Sequence, residues 1–151
     1  MIERLKSKHA IAMLEFVNMT RDIYEDFFIT KDKQRLFFKN NLKLVQYTIT
    51  SQEVYGLIDK DLEAILVIYR EKGFRPYLKL LAKDANSARG MIKFLNWNHN
   101  CELFVKIKKN NPLVDEFKKN RFYIEGLRGQ ELLLKKVREI KNGSNYTIQK
   151  S

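Results

Sequence analysis

Hydrophobic and polar positions alternate with two different periods along this chain, and the two periods predict interleaved strands and helices. From residue 101 to residue 107 every second residue is apolar, which is the period of a half-buried strand. A short helix is predicted next, because Asn111 is a good N-cap and Pro112 fits the first helical position. Two further strands are predicted at 122–125 and 131–137, joined by a glycine-flanked turn at 126–129.

The first half of the chain changes from a helical period to a strand period. Helices are predicted from Ser7 to about Phe28 and from Thr30 or Asp32 to about Tyr47, because apolar residues recur three and four positions apart. On the first of these helices, the inward face is predicted to hold Ala10, Leu14, Val17, Tyr24 and Phe27. The other predicted elements are strands at 2–5, 54–58, 62–69 and 77–82 and a helix from Asp84 or Asn86 to about Trp97, with Ala88, Met91, Ile92 and Leu95 facing inward.

The order of these elements indicates one α/β domain. Strands and helices interleave in the second half, which requires at least one parallel pair of strands. A length of 151 residues suits a single domain with its own core. We therefore expect residues 1–140 to form a mixed sheet of about six to seven strands flanked by four helices, and residues 141–151 to form a frayed polar tail.

Composition and charge narrow the class of protein further. Hydrophobic residues make up 44% and charged residues 31%, which is typical of an ordered soluble domain. No apolar run reaches the roughly 20 residues of a membrane span, and no signal-peptide core is present, so a cytoplasmic location is expected. The single cysteine, Cys101, begins an apolar strand face and is expected to be a small core residue. The net charge of +11 favours an anionic partner such as an acidic protein, nucleic acid or coenzyme A.

The segment after the predicted strand at 101–107 carries a family resemblance. Asn111 is followed by Phe117-Lys118-Lys119-Asn120-Arg121-Phe122. This run and the element order resemble the Gcn5-related N-acetyltransferase (GNAT) superfamily, where a strand, an Asn and a short helix precede a pattern like Tyr-x-Lys-x-Gly-Phe. Asn111, Lys119 and Phe122 match this pattern. Phe117 replaces the Tyr that can protonate the leaving thiolate of coenzyme A, and Arg121 replaces the Gly.

The resemblance implies the GNAT fold and, in an active enzyme, acetyl-CoA as the cofactor. Backbone groups of Leu80, Leu81 and Ala82 would hold the pantetheine arm, and Asn111 would lie at the same site. The helix start at Ser87, Ala88 and Arg89 would face the pyrophosphate. The family's Gln/Arg-x-x-Gly-x-Gly/Ala loop is absent from residues 82–90, where Gly90 is the one glycine and Asp84 adds negative charge.

Candidate catalytic residues are few. Acyl transfer needs a base for the amine, and Glu63 and Tyr77 are the two candidates; the structural alternatives are a strand-end carboxylate and a core aromatic. His99 and Cys101 stand two positions apart at a strand start. They lack the further ligands that zinc needs and a third group to orient a nucleophile, so no metal site or Cys–His pair is predicted.

Three functional hypotheses follow. The first is a GNAT-like domain that has lost acyl transfer and acts as a binding or structural protein; it resembles GNAT-like phage proteins, including internal virion proteins, which implies a virion or the host cytoplasm. The second is an acyl-CoA-dependent N-acetyltransferase with a divergent pyrophosphate loop. The third is a nucleic-acid-binding module using Trp97, Tyr123 and the lysines at 106, 108 and 109. The fourth and fifth strands of GNAT enzymes splay apart to admit pantetheine, so a closed sheet would exclude the second hypothesis.

Overall fold

Seven strands of the chain form one mixed sheet, and a separate two-stranded hairpin follows it. The computed structural model describes residues 1–20, 42–70, 75–137, 139–142 and 145–148. The strands are β1 (Ile2–Arg4), β2 (Glu53–Asp59), β3 (Asp61–Arg70), β4 (Pro76–Ala82), β5 (Leu103–Lys108), β6 (Phe122–Arg128), β7 (Glu131–Lys136), β8 (Glu139–Asn142) and β9 (Asn145–Ile148). The helices are α1 (Ala10–Thr20), α2 (Leu42–Ser51), α3 (Ala85–Asn98) and α4 (Leu113–Lys119).

The order of the large sheet is β1-β2-β3-β4-β5-β7-β6. Every neighbouring pair is antiparallel except β4 and β5, which are parallel and joined through α3. Pro76 stands at the start of β4, where its missing N–H does least harm to the ladder. The predicted mixed sheet with four helices and a parallel pair is therefore confirmed.

Helices cover both faces of the sheet in its first half. Residues Ala64 to Ile68 of β3 are all buried, although successive side chains point to opposite faces. Both α1 and α3 contact β3, while α1 packs on α2 and α3 packs on α4, so each face receives one helical pair. The predicted inward face of α3 is confirmed, with Ala88, Met91, Ile92 and Leu95 buried. None of the helices in these described segments combines the length and apolar content that a bilayer span requires.

The N-terminal helix differs from its prediction. A short 3-10 turn, Ser7–His9, comes first, and α1 begins only at Ala10. Met13 and Phe16 are buried beside Val17, whereas Leu14 is only partly buried. Ala10 and Val17 are buried as predicted, so the buried face of α1 overlaps the predicted one but is shifted to include Met13 and Phe16. The predicted positions Tyr24 and Phe27 and the ends near Phe28 and Thr30 lie outside the described residues.

The C-terminal elements also depart from the prediction. The predicted turn at 126–129 is wrong, because β6 runs through Gly126 to Arg128 with a bulge after Ile124. The chain reverses at Gly129, whose φ of +60° is a conformation that glycine adopts without strain. Where a frayed tail was expected, β8 and β9 pair as an antiparallel hairpin. Cys101 is exposed rather than in the core, because β5 begins two residues later.

Gly56 permits the close approach of Leu5 to the middle of β2. A Cβ at Gly56 would lie 2.6 Å from Leu5 Cδ2 and 2.9 Å from Leu62 Cδ1. We predict that Gly56→Ala lowers the free energy of unfolding by about 1–3 kcal/mol, because buried leucine must move off its preferred rotamer. Urea unfolding would measure this difference. Gly126→Ala is the matched control: a Cβ there meets nothing within 4 Å, so an equal loss in both variants would contradict the packing argument.

Candidate active site

Strands β4 and β5 separate shortly after they meet. Within the described residues, they are bridged at one position, where Tyr77 lies opposite Phe104 near the start of both strands. Because the strands run parallel, the gap opens toward their carboxyl ends. A small cleft, partly open to solvent, lies in this gap. Its lining is Leu78, Lys79, Leu80, Val105, Lys106, Ile107, Asn111 and Phe117.

The ladder between β3 and β4 determines which peptide groups of β4 face the cleft. Lys83 donates its backbone N–H to the Glu63 carbonyl at 3.0 Å, which marks a hydrogen-bonded antiparallel pair. Such pairs alternate along the ladder, so Leu81 also bonds toward β3. The peptide groups of Leu80 and Ala82 therefore point toward the cleft. Two of the three predicted pantetheine-binding residues present their backbone there, and Leu81 does not.

The same alternation applies to β5. Lys109 donates its backbone N–H to the Gln130 carbonyl at 2.8 Å, so the odd-numbered residues of β5, including Ile107, bond toward β7. The peptide groups of Lys106 are consequently directed toward β4. Both walls of the cleft thus carry backbone polar groups as well as apolar side chains.

Helix α4 closes the wider end of the cleft. The Asn111 side-chain oxygen accepts the Leu113 N–H at 2.9 Å, but the N-cap position predicted for Asn111 is occupied by Pro112. Pro112 lies just before the first helical residue, not at that position, because the helix begins at Leu113. Phe117 is buried and packs edge-on against Phe122 with ring centroids 5.0 Å apart. Its ring gives the cleft an apolar wall without a transferable proton.

A carboxylate occupies the start of α3. Asp84 has an extended backbone, and its side chain accepts the Ser87 N–H at 2.8 Å. Hydrogen bonds from Ser87 lower the pKa of Asp84. Exposed N–H groups and the helix dipole favour negative charge at this position, and Asp84 supplies that charge from within the chain. Of the two predicted caps, Asp84 is the one used.

Arg89 connects α3 to α4. Its Nε and Nη2 atoms lie 3.3 Å from the two carboxylate oxygens of Glu116, and its Nη1 lies 3.4 Å from the Asn86 side-chain oxygen. Glu116 is buried, whereas the Arg89 side chain is 42% exposed. The sequence did not predict Glu116, because this pair joins two helices 27 residues apart. Arg89 is therefore near the predicted phosphate position but already neutralises a buried carboxylate.

The two catalytic candidates are far apart, because Glu63 lies on β3 beside the carboxyl end of β4 and Tyr77 lies near the start of β4. Glu63 forms an ion pair with Lys83, and this hydrogen bond raises the pKa of Lys83. Lys83 is six residues beyond Tyr77, about 20 Å along an extended strand. Tyr77 is 6% exposed and stacks on Tyr69 at 5.8 Å, so it occupies the position of a core aromatic. The structure does not bring Glu63 and Tyr77 together.

His99 and Cys101 do not form a pair with a shared function. His99 Nε2 lies 2.9 Å from Glu53 Oε2, which also accepts the Tyr55 hydroxyl at 2.7 Å. Burial raises the pKa of Glu53, but the hydrogen bonds from Tyr55 and His99 outweigh burial and hold that pKa below its usual value. In the described part of the chain, no group of three or more His, Cys, Asp or Glu residues is arranged to hold a metal ion.

Comparison with known proteins finds similar structures but no similar sequence. No protein-family model matches the chain, and no curated protein sequence matches it. Solved structures do match. An N-acetyltransferase from Staphylococcus aureus Mu50 superposes with a TM-score of 0.69 at 14% identity, over 91% of this chain and 96% of that one. The GNAT domain of Streptomyces lividans PAT superposes with a TM-score of 0.67 at 12% identity, over 89% and 88%.

A third similar structure contains a ligand. The PaiA N-acetyltransferase from Thermoplasma acidophilum, in complex with coenzyme A, superposes with a TM-score of 0.66 at 13% identity, over 91% of this chain and 98% of that one. The chain therefore has the GNAT fold, which confirms the fold expected from the segment at 111–122. At these identities the likeness concerns the fold alone.

We predict that Asp84→Ala lowers the free energy of unfolding by about 1 kcal/mol, because it leaves the Ser87 N–H without its cap. Asp84→Asn keeps a capping oxygen and is the control, with a stability close to that of the parent at neutral pH. Urea unfolding measures both variants, and equal midpoints for Asp84→Ala and the parent would contradict the capping role.

The same residue predicts a pH dependence. Because folding lowers the pKa of Asp84 below 3.8, its ionic contribution is complete above that pH and disappears as the pH falls through the folded-state pKa. Asp84→Asn should therefore lose less stability than the parent between pH 5 and pH 2. Parallel unfolding curves measured across this range would show the difference, and identical acid dependence would contradict it.

Proposed function

We propose that this chain is an acyl-CoA-dependent N-acyltransferase that binds the pantetheine arm of acetyl-CoA between β4 and β5. The observation that carries the proposal is the separation of these strands after Tyr77 and Phe104. Two central strands of a sheet normally satisfy each other's backbone groups, so an open gap between them needs another partner for those groups. An extended chain containing amides is such a partner.

The residues lining the cleft fit a pantetheine arm. Peptide groups of Leu80 and Ala82 point into the gap and supply donors and acceptors for amides. Leu78, Val105 and Ile107 supply apolar contact for the methylene groups. The structural similarity to a coenzyme A complex supports the same ligand class.

The start of α3 fits the pyrophosphate less well. Asp84 places a carboxylate at the helix N-terminus, and Arg89 is paired with Glu116. Negative charge at that position repels a phosphate, whereas the helix N-terminus and the exposed part of the guanidinium attract it. We therefore attribute most of the cofactor's affinity to the pantetheine cleft.

Bound acetyl-CoA would supply an activated acyl group: the acceptor nitrogen forms an amide bond as the C–S bond breaks, the nitrogen loses one proton to water, and the thiolate gains one from water. Phe117 has no proton for the thiolate, so solvent has to provide it. The chain's own contribution is to hold the arm and to orient the acceptor.

A second candidate function is a GNAT-like domain that no longer transfers acyl groups and serves as a binding or structural protein, in a phage virion or a host cytoplasm. The capping carboxylate of Asp84 favours it, because this group fills the place that the cofactor's phosphates would take. Phe117 at the cleft favours it as well.

Calorimetry with acetyl-CoA and with S-acetylpantetheine, which lacks the pyrophosphate, tests the proposal. We expect micromolar binding of acetyl-CoA and only modestly weaker binding of the fragment. Asp84→Ser, which keeps a capping oxygen and removes the charge, should tighten acetyl-CoA by about 2- to 5-fold and leave the fragment unchanged. No binding of either ligand at millimolar concentration would overturn the proposal in favour of the second candidate.

We predict that Phe117→Tyr raises the rate of thiol release roughly 10-fold or more, since a hydroxyl at this wall of the cleft can protonate the leaving thiolate. The dissociation constant of acetyl-CoA should not change. Phe122→Tyr is the control, because Phe122 is equally buried but does not line the cleft. A rate increase in both variants, or in neither, would contradict the assigned position of Phe117.

A further inference from the structure

Strand β6 forms one edge of the seven-stranded sheet, and β7 pairs with it along one side. In the described part of the chain, no strand pairs with its other side. Such a free edge presents unpaired N–H and C=O groups to any further strand, and proteins commonly protect it with lysine or proline. Strand β6 contains neither residue, so its edge is open to pairing.

The ladders on both sides of β7 determine which peptide groups of β6 face the free edge. Even-numbered residues of β7 bond toward β5, because they are the register partners of the odd-numbered residues of β5. The odd-numbered residues of β7 therefore bond toward β6. Phe122, Ile124 and Leu127 are the register partners of even-numbered residues, so their peptide groups point away from β7.

Two apolar side chains of β6 are more than half exposed, although they share a face of the sheet with buried residues. Ile124 is 52% exposed and Leu127 is 60% exposed. Their register partners, Leu134 and Leu132, lie on the same face and are buried. The apolar surface of this face therefore continues onto the edge strand, where water contacts it.

The bulge after Ile124 determines which kind of strand fits this edge. Glu125 is the extra residue, so the outward peptide groups of Ile124 and Leu127 are three positions apart instead of two. A regular strand matches that spacing poorly, because its outward groups recur at every second residue. A second copy of this chain has the same bulge. In a two-fold antiparallel pair, Ile124 and Leu127 of one copy oppose Leu127 and Ile124 of the other.

The same register brings complementary groups together on the opposite face of the sheet. The sum of paired residue numbers is constant in an antiparallel pair, so Tyr123 lies opposite Arg128 of the second copy. Tyr123 is exposed, and its ring attracts a guanidinium. Glu125 and Arg128 are the charged residues of β6, so the strand has no formal charge in a chain of net charge +11. Two copies therefore meet at this edge without an excess of positive charge.

We propose that two copies of this chain pair through β6 in a two-fold antiparallel arrangement, which joins their sheets edge to edge. The matching bulges, the apolar pairs of Ile124 with Leu127 and the pairs of Tyr123 with Arg128 favour a second copy over an unrelated peptide. The contact between two seven-residue strands is small, so the dimer dissociates on dilution. This inference does not depend on the proposed acyl transfer.

Sedimentation velocity over a dilution series tests for the dimer. We expect the measured mass to fall from twice the chain mass to the chain mass as the protein is diluted. Leu127→Lys should raise the dissociation constant ~10-fold or more, because a symmetric contact contains the substitution twice. Ile11→Lys is the matched control, since Ile11 on α1 is 61% exposed and lies outside the contact.

Thermal unfolding followed by circular dichroism would establish that both lysine variants are folded. The Ile11→Lys variant should dimerise like the parent. A monomer at every concentration of the parent, or equal weakening of the dimer by the two variants, would overturn the inference.

Disulfide trapping tests the register. Ile124→Cys and Leu127→Cys are made as separate variants in a Cys101→Ser background, which removes the exposed native thiol. A hydrogen-bonded antiparallel pair holds its Cα atoms about 5.5 Å apart, which a disulfide can span. A mixture of the two variants should therefore crosslink faster under mild oxidation than either variant alone. Faster crosslinking of one variant with itself would overturn this register, whatever acetyl-CoA binding shows about the proposed function.

Discussion

The single bridge between Tyr77 and Phe104 is the constraint on which the rest of this structure depends. It joins the antiparallel strands β1–β4 to the β5-β7-β6 unit, and it also marks the point where the two units separate. Aromatic contacts at 5.5 and 5.8 Å reinforce the bridge from one face of the sheet. Since the strands diverge beyond it, the same feature that closes the fold also creates the cleft.

One part of the cleft's surroundings fits a cofactor, and another part weakens the binding of its phosphates. Backbone groups of Leu80 and Ala82 and the apolar lining fit an extended amide-containing arm. At the start of α3 the charged groups already have partners within the chain. Asp84 caps the helix, and Arg89 neutralises the buried Glu116. An anionic cofactor must therefore compete with intramolecular contacts at one end of its site, although it has an open cleft at the other.

Several of the basic residues are held by particular contacts within the fold. The net charge of +11 indicates an anionic partner without saying where it binds. Several basic residues near the predicted phosphate loop are occupied by carboxylates, as with Lys83 and Arg89. Lys106 Nζ lies 4.8 Å from the centre of the Tyr77 ring, so this cation is held beside the bridge between β4 and β5.

The sequence by itself determined the type and order of most elements, because period and capping are local properties. It predicted the buried face of α3, a cap by Asp84 or Asn86 and the Asn111–Phe122 segment. It misplaced the turn after β6 and the burial of Cys101, where one or two residues of strand length decide the outcome. Only the tertiary structure determined the separation of β4 from β5, the pairing of Arg89 with Glu116 and the position of Lys106 over Tyr77. Each of these joins residues more than 20 positions apart, and no local pattern encodes such a distance.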